Sequence, residues 1–374
     1  MSLTSSSNEY DNQRKTWIAL LGQRDAPTDG LEDYCTFLGR ALKGHGVGLT
    51  LVRVQWIEQG WLRAMRHLWR ESVAWCGTWV LVQYTALGWS RRGVSIGVLV
   101  ALEILRHRGV RVAIVFHDSN PYPGSRVRHR AQSWLQRYVM RAAYRSAEKS
   151  FFTIPPEAIT WLPSDVSKAR FIPIGANIPV SNIPLQGRNS GPKSSKTIMI
   201  FGVTNDASEF EISQIRYAVS RAKEIAPHLT VKVLGRGSME AREALESAFH
   251  GTGVPVTVLG ILPEEIVANH IADADVLLFV RGHLTGRRSS ALAGIACGLP
   301  VVGFAGPDTC SPLTEAGVEL APAWDRDALA AALMRVLSDD VWRQKLCERS
   351  RRAQEEYFSW EKIAERFAAE LVNA

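Results

Sequence analysis

Ala274-Asp-Val-Leu-Leu-Phe-Val-Arg281-Gly-His-Leu-Thr285-Gly-Arg287-Arg288-Ser289-Ser290-Ala-Leu-Ala293-Gly-Ile-Ala-Cys297-Gly-Leu-Pro300-Val-Val-Gly-Phe304 passes through four kinds of local pattern in thirty-one residues. Ala274–Val280 is nearly all apolar, broken only by Asp275, as suits a strand covered on both faces. Residues 281–288 are polar and glycine-bearing and read as a loop. From Ser289 small residues continue to Cys297 as a short helix, Gly298-Leu-Pro300 turns the chain, and Pro300–Phe304 is a second strand. This order predicts one βαβ unit of a parallel sheet. A helix start offers unpaired N–H groups to an anion, and here Arg287 and Arg288 stand directly before Ser289 and Ser290. Two guanidinium forks and two hydroxyls at one spot predict a phosphate or diphosphate site.

The same alternation runs outward in both directions. Before the middle of the chain, strands are predicted at Thr16–Gly22, Gly48–Gln55, Thr78–Thr85, Arg111–Asp118, Lys149–Thr153 and Ala169–Gly175. After it they are predicted at Thr197–Gly202, Thr230–Gly235, Val256–Gly260, Ala274–Val280, Pro300–Phe304 and Val318–Ala321, with helices such as Ile212–Ile225 and Ala328–Leu337 between them. At 374 residues the chain exceeds one typical core. The expected fold class is therefore α/β, with two doubly wound Rossmann-like domains at 16–178 and 196–358 facing each other across a cleft. Residues 1–15 are expected to be a flexible N-terminus. The Pro-, Gly- and Ser-rich stretch 179–195 has no period and is expected to be the linker. Ligands bind beyond the carboxyl ends of strands in open α/β sheets, which puts the expected site in that cleft.

Composition narrows the function classes. A hydrophobic fraction of 46% with 22% charged residues excludes a disordered chain. Five scattered cysteines without a C-x-x-C pair predict neither a disulfide framework nor a metal site, and suit a reducing cytoplasm. The opening Met-Ser-Leu-Thr-Ser-Ser-Ser-Asn-Glu lacks the pattern of a secretory signal, and no apolar run is long enough to span a bilayer. The expectation is a cytoplasmic protein, at most peripheral on the cytoplasmic face of a membrane. Residues 1–180 hold 23 Lys and Arg against 13 Asp and Glu, while the remainder hold 21 against 24, so the net +7 comes from the first half. Arg130, Trp134, Arg137, Arg141 and Arg145 recur at helical spacing, and Trp61, Arg63, Arg66, Trp69 and Arg70 form a second basic-aromatic segment. Such helices suit an anionic membrane surface. No nucleic acid is expected as partner, because no base-reading motif accompanies the arginines. A dehydrogenase is excluded by the lack of G-x-G-x-x-G after any strand.

Three strings, in this order, carry a resemblance: Phe171-Ile-Pro-Ile-Gly-Ala-Asn-Ile-Pro179, Ala296-Cys-Gly-Leu-Pro-Val-Val302 and Phe358-Ser-Trp-Glu-Lys-Ile-Ala364. Together they resemble the GT-B nucleotide-sugar glycosyltransferases of the family 4 type over nearly the whole chain. The resemblance implies transfer of a sugar, with retention, from a nucleoside-diphosphate donor on the C-terminal domain to a hydroxyl of a lipid-linked or polysaccharide acceptor on the N-terminal one. It implies a final helix, 359–374, crossing back to the first domain. No cofactor and no metal is expected beyond the sugar-nucleotide substrate; charge on the leaving diphosphate would be met by cationic side chains.

Candidate residues follow from strand ends. Gly30 closes the loop after the first strand, where a glycine lets the backbone approach a ligand, although Asp29 could instead cap the helix that begins there. His117 and Asp118 end the fourth strand and are the candidate catalytic residues. For the donor the candidates are Arg281, Arg287, Arg288, Ser289 and Ser290, with Arg236 and Thr204 from the loops after the first two C-terminal strands. Two departures stand against the resemblance. Thr285 and Ala293 occupy the positions where relatives carry two glutamates, and the 201–208 loop lacks the usual Arg and Lys. A rewired donor site is the leading expectation; a catalytically silent GT-B protein that binds a nucleotide sugar, or partners an active enzyme, is the alternative.

Overall fold

The computed structural model describes residues 15–25, 28–122, 126–179, 195–204 and 208–372. Most of the expected N-terminal tail and linker lies outside these residues. The chain divides into two compact units. One holds the described residues up to Phe152 together with 159–172 and those from Ala364 on; the other holds 153–158 and Pro173–Ile363.

The first unit is built on strands β1 (Lys15–Leu21), β2 (Val47–Arg53), β3 (Trp79–Tyr84), β4 (Arg111–Phe116), β5 (Lys149–Phe152) and β6 (Ala169–Phe171), in the order β2-β1-β3-β4-β5-β6. Every pairing is parallel. The apolar runs explain this directly, since all six residues of β3 and the last five of β1 and β4 are buried, leaving no face for water. The order reverses between β1 and β3, and there the loops leaving the two strands touch backbone to backbone. Gln23 N donates to Gly88 O at 2.6 Å, and a Cβ on Gly22 would stand 2.1 Å from that oxygen.

The second unit carries β7 (Lys196–Phe201), β8 (Leu229–Leu234), β9 (Val256–Gly260), β10 (Val276–His283), β11 (Val301–Phe304) and β12 (Val318–Ala321), in the order β12-β11-β10-β7-β8-β9. Numbered within the unit this is 3-2-1-4-5-6, the doubly wound order with its reversal between β7 and β10. Helices Ser208–Lys223 and Arg326–Ser338 bury Ile212, Ile215, Val219, Leu329, Leu333 and Val336 against the sheet, a spacing of three and four that the sequence shows plainly.

Helix Trp360–Leu371 closes the chain. Its Trp360 end belongs to the second unit, where the indole donates to Ala176 O at 2.8 Å and lies so close to Gly175 that a Cβ there would be 2.7 Å from the ring. Two of the strings that carried the resemblance are thus in contact. From Ala364 the helix belongs to the first unit: Phe367 packs on Phe151 with centroids 4.6 Å apart, Leu371 O accepts from Trp79 Nε1 at 2.8 Å, and Glu370 pairs with Lys149 and Arg170.

Candidate functional site

At the reversal of the second sheet, β7 ends in Gly202 with φ +84° and β10 does not stop where its apolar run stops. Phe279 pairs with Gly303 and His283 with Phe304, so residues 280–282 form a bulge, and Gly282 makes it possible by taking φ +83°. The bulge carries Arg281 out of the apolar run and towards Gly202. A Cβ on Gly202 would lie 2.5 Å from Arg281 Nη1, so only glycine fits under that guanidinium. Arg281 Nε donates to Thr204 Oγ1 at 3.4 Å, and buried Glu211 holds the same loop by accepting from Thr204 N at 2.8 Å. Burial lowers the Arg281 pKa, Glu211 opposes that, and the charge of Arg236 adds to it. The guanidinium stays protonated regardless. Arg236 reaches the same corner, its carbonyl accepting from Val203 N at 3.0 Å. Of the sequence-predicted donor residues, Thr204, Arg236 and Arg281 come together here. Two like charges crowded at a switch point are an arrangement that can take up an anion.

The helix Ser289–Ala296 starts without a side-chain cap. Thr285 shapes the turn before it, its Oγ1 accepting from Arg287 N at 3.4 Å and its carbonyl from Arg288 N at 3.1 Å. The two arginines do not converge as the sequence predicts. Arg287 is paired through Nη2 with Asp308, from the loop after β11, so its charge is already met; its Nε is buried without a partner among the described residues. Arg288 is exposed and lies beside Gly282, about a van der Waals contact from where a Cβ would be. Ser289 and Ser290 are half-buried at the helix start, while Thr285 and Ala293 are buried.

In the first unit the helix start after β1 is filled from within. Asp29 caps helix Gly30–Leu42, accepting from Leu31 N and Glu32 N at 3.0 and 3.3 Å, and its other oxygen accepts from Arg53 Nη2 at 2.8 Å. That carboxylate holds the place expected for a ligand oxygen. Gly30 has open space where a Cβ would go, so no crowding requires a glycine there. His117 lies with its ring edge-on to Tyr34, centroids 4.8 Å apart, and its Nε2 is 2.8 Å from Gln83 Oε1. Gln83 Nε2 donates to Leu81 O, which fixes the amide and makes Nε2–H of His117 the donor. Desolvation pushes the His117 pKa down to about 3, so the imidazole is neutral with Nδ1 left as acceptor. Asp118 is committed to the fold: its Oδ2 accepts from Ala86 N at 2.7 Å and from Tyr122 OH at 2.9 Å, tying β4 to the loop after β3.

The basic stripe lies on helix Val127–Ser146. Arg130, Trp134, Arg137, Tyr138, Arg141 and Arg145 are exposed, and Arg141 also donates to Trp161 O at 2.9 Å. Helix Trp61–Glu71 exposes Leu62 and Trp69, and between the two lies helix Ile96–His107, which exposes Ile96 and Val100. Trp61 seats on Gly97, Arg108 lies 3.7 Å over the Trp69 ring, and Gln132 and Gln136 donate to the carbonyls of Arg92 and Gly93. Sequence reasoning missed the middle helix, because its apolar residues are read as core until neighbours show which face is left over. It also missed Glu211 and Asp308, whose roles are contacts across the fold. Among the described residues no group of three or more His, Cys, Asp or Glu gathers as metal ligands, and no helix is long and apolar enough to cross a membrane.

Residues 196–339 match the family model described as glycosyl transferases group 1. No curated protein sequence matches the chain. Among solved structures, HepE of Anabaena in complex with UDP and glucose is 15% identical with a TM-score of 0.64, covering 96% of this chain and 100% of that one. Sucrose-phosphate synthase of Thermosynechococcus elongatus is 18% identical with a TM-score of 0.67, covering 96% and 99%. The UDP-forming α,α-trehalose-phosphate synthase of Burkholderia xenovorans, in complex with glucose-6-phosphate, is 14% identical with a TM-score of 0.64, covering 96% and 100%. The chain therefore has the two-domain GT-B fold, and its residues 196–339 are similar to the group 1 glycosyl transferases.

Proposed function

We propose that this protein transfers a sugar from a nucleoside-diphosphate donor, with retention, to a hydroxyl of a lipid-linked or polysaccharide acceptor in the manner of family 4, working against the cytoplasmic face of a membrane in envelope or exopolysaccharide synthesis. The observation that carries the reading is Arg281, lifted by a bulge over Gly202 and beside Thr204 and Arg236 at the switch point of a group 1 domain. In transfer, the bond from the anomeric carbon to the diphosphate oxygen breaks, a bond to the acceptor oxygen forms, and the acceptor proton leaves with the diphosphate. Negative charge grows on the departing oxygen, and preorganised cations stabilise it most when they are partly desolvated, as Arg281 is. Arg288 and the uncapped start of helix Ser289–Ala296 supply further positive potential. Holding the reactants together supplies the rest. Neutral His117 is assigned to a hydroxyl of the acceptor, through Nδ1. A UDP donor is the first to test, since UDP is the nucleotide bound by HepE.

Burial of Thr285 and Ala293 favours one other reading, a protein that binds the nucleotide sugar without turning it over. Radiolabelled UDP- and GDP-sugars incubated with the protein and a membrane extract separate the two: transfer of label to any acceptor removes the silent reading, while saturable donor binding without transfer removes the enzyme.

For the membrane, the assigned face is the three-helix layer around Trp134, where exposed Leu62, Trp69, Ile96, Val100, Trp134 and Tyr138 lie among arginines. Each cation near an anionic surface contributes about 1 kcal/mol. Replacing Trp134 and Arg137 by alanine is expected to lower partitioning onto vesicles of 30% phosphatidylglycerol at least tenfold, a composition chosen for its charge, with little binding of either protein to neutral vesicles. Sedimentation of the variant equal to wild type would put the contact elsewhere.

A further inference from the structure

Trp324 is, among the described residues, the one non-glycine side chain whose backbone takes a left-handed conformation, with φ 63°. A bulky residue there stores strain that glycine would release, and strain of this kind persists where the side chain has a task. Burial is not that task, because the ring is 47% exposed. It projects just past the carboxyl end of β12 and meets His283 at the end of β10 with centroids 4.9 Å apart, Phe304 at the end of β11 at 5.4 Å, and Phe210 at 5.5 Å in an edge-to-face arrangement. Phe210 is itself 45% exposed, so the pair forms an open corner with one broad aromatic face. His283 lies against the chain at Gly306, where a Cβ would be 2.2 Å from its Cγ, and its Nε2 is buried without a hydrogen-bond partner among the described residues. An imidazole nitrogen in that state costs free energy until something pairs with it. Arg281 stands two residues before it on the same strand end, and Glu211, which braces the Thr204 loop, follows Phe210.

We propose that Trp324, Phe210 and His283 form a subsite for a pyranose ring. The electron-rich indole face takes the apolar C–H face of the sugar, and His283 backs the indole from beneath. A nucleobase stacks on the same kind of face, and binding of the bare nucleotide separates it from a sugar. The identity of the ligand rests on the transferase reading; the ring is carried by the donor or by the acceptor glycan, and the test tells which.

Trp324→Gly and Trp324→Phe are compared with wild type and Arg281→Ala by calorimetric titration with UDP, UDP-glucose, GDP, GDP-mannose and maltotriose. If the donor carries the ring, Trp324→Gly is expected to weaken the nucleotide sugar about tenfold while the bare nucleotide stays within twofold, and Arg281→Ala weakens both. If the acceptor carries it, maltotriose binding is lost in Trp324→Gly and the nucleotide sugar is unchanged. In either case Trp324→Phe restores most of the affinity, and the melting temperature of Trp324→Gly stays within about 3 °C of wild type, because strain relief offsets the lost packing. A Trp324→Gly variant that binds every probe as wild type does overturns the subsite, as does one that weakens nucleotide and nucleotide sugar alike. Failure of wild type to bind any nucleotide or nucleotide sugar refutes the transferase reading alone; the subsite then stands on saturable maltotriose binding lost in Trp324→Gly, and falls without it.

Discussion

Arg281→Ala is expected to weaken nucleotide binding on the order of 100-fold, while Arg287→Ala leaves it nearly intact. A guanidinium that donates charge-assisted hydrogen bonds to a phosphate contributes about 1.5–3 kcal/mol, so its loss weakens UDP or GDP on the order of 100-fold at the upper end. Arg281 belongs at that end. Burial has already removed much of its water, it makes no direct carboxylate ion pair among the described residues, and it lies where a Cβ on Gly202 would collide with it. Arg287 differs because Asp308 already meets its charge, and a phosphate could recruit it only by displacing that carboxylate. Its removal is expected to change affinity by no more than about threefold, with exposed Arg288 in between at roughly tenfold. Isothermal titration of the three variants with UDP and GDP checks the ranking. Equal losses in Arg281→Ala and Arg287→Ala would mean that Asp308 releases its partner on binding, and the assignment of the anion to the β7–β10 switch point would fail.

That ranking inverts the one the sequence suggests, and the inversion has a physical source. Arg287-Arg288-Ser289-Ser290 is a local signal, and the helix start it predicts is there, at Ser289. What neutralises Arg287 comes from a loop twenty-one residues on, after a different strand, and no window of sequence contains both. All twelve strands were legible, the central ones because a strand covered on both faces is nearly all apolar. Their ends were less so: β10 runs three residues beyond its apolar stretch because a bulge lets polar Arg281, Gly282 and His283 continue the ladder. The alternatives at Asp29 and Gly30 show the same limit, since both residues are common at helix starts and only Arg53, arriving from β2, decides that the carboxylate takes the amides. Trp324 is the extreme case. Left-handed backbone is forecast from glycine or asparagine, and a tryptophan there is visible only in coordinates.

Replacing His117 by glutamine is expected to remove a one-proton component from the acid sensitivity of the fold. The folded-state pKa is depressed to about 3 by desolvation, against about 6.5 for the same group unfolded. A depressed value means that the unfolded chain takes up a proton the folded chain refuses. The stability that follows is complete above pH 6.5 and is lost as the pH falls from there towards 3, with a limiting slope of about 1.4 kcal/mol per pH unit for this one group. Carboxylates titrate in the lower part of the same window, so wild type alone does not isolate the imidazole; the difference between wild type and His117→Gln does. Glutamine can still donate to Gln83 Oε1, which keeps the hydrogen bond while removing the titration. Urea unfolding at pH 7, 6, 5 and 4 should therefore show the variant gaining on wild type progressively below pH 6.5, and a pH-independent difference would show that the imidazole accepts a proton in the folded state. The consequence for function is chemical. At neutral pH His117 offers a lone pair and no charge, so in the proposed transfer it can orient a hydroxyl or receive its hydrogen bond but cannot neutralise a diphosphate, a task the proposal gives to the arginines of the second unit.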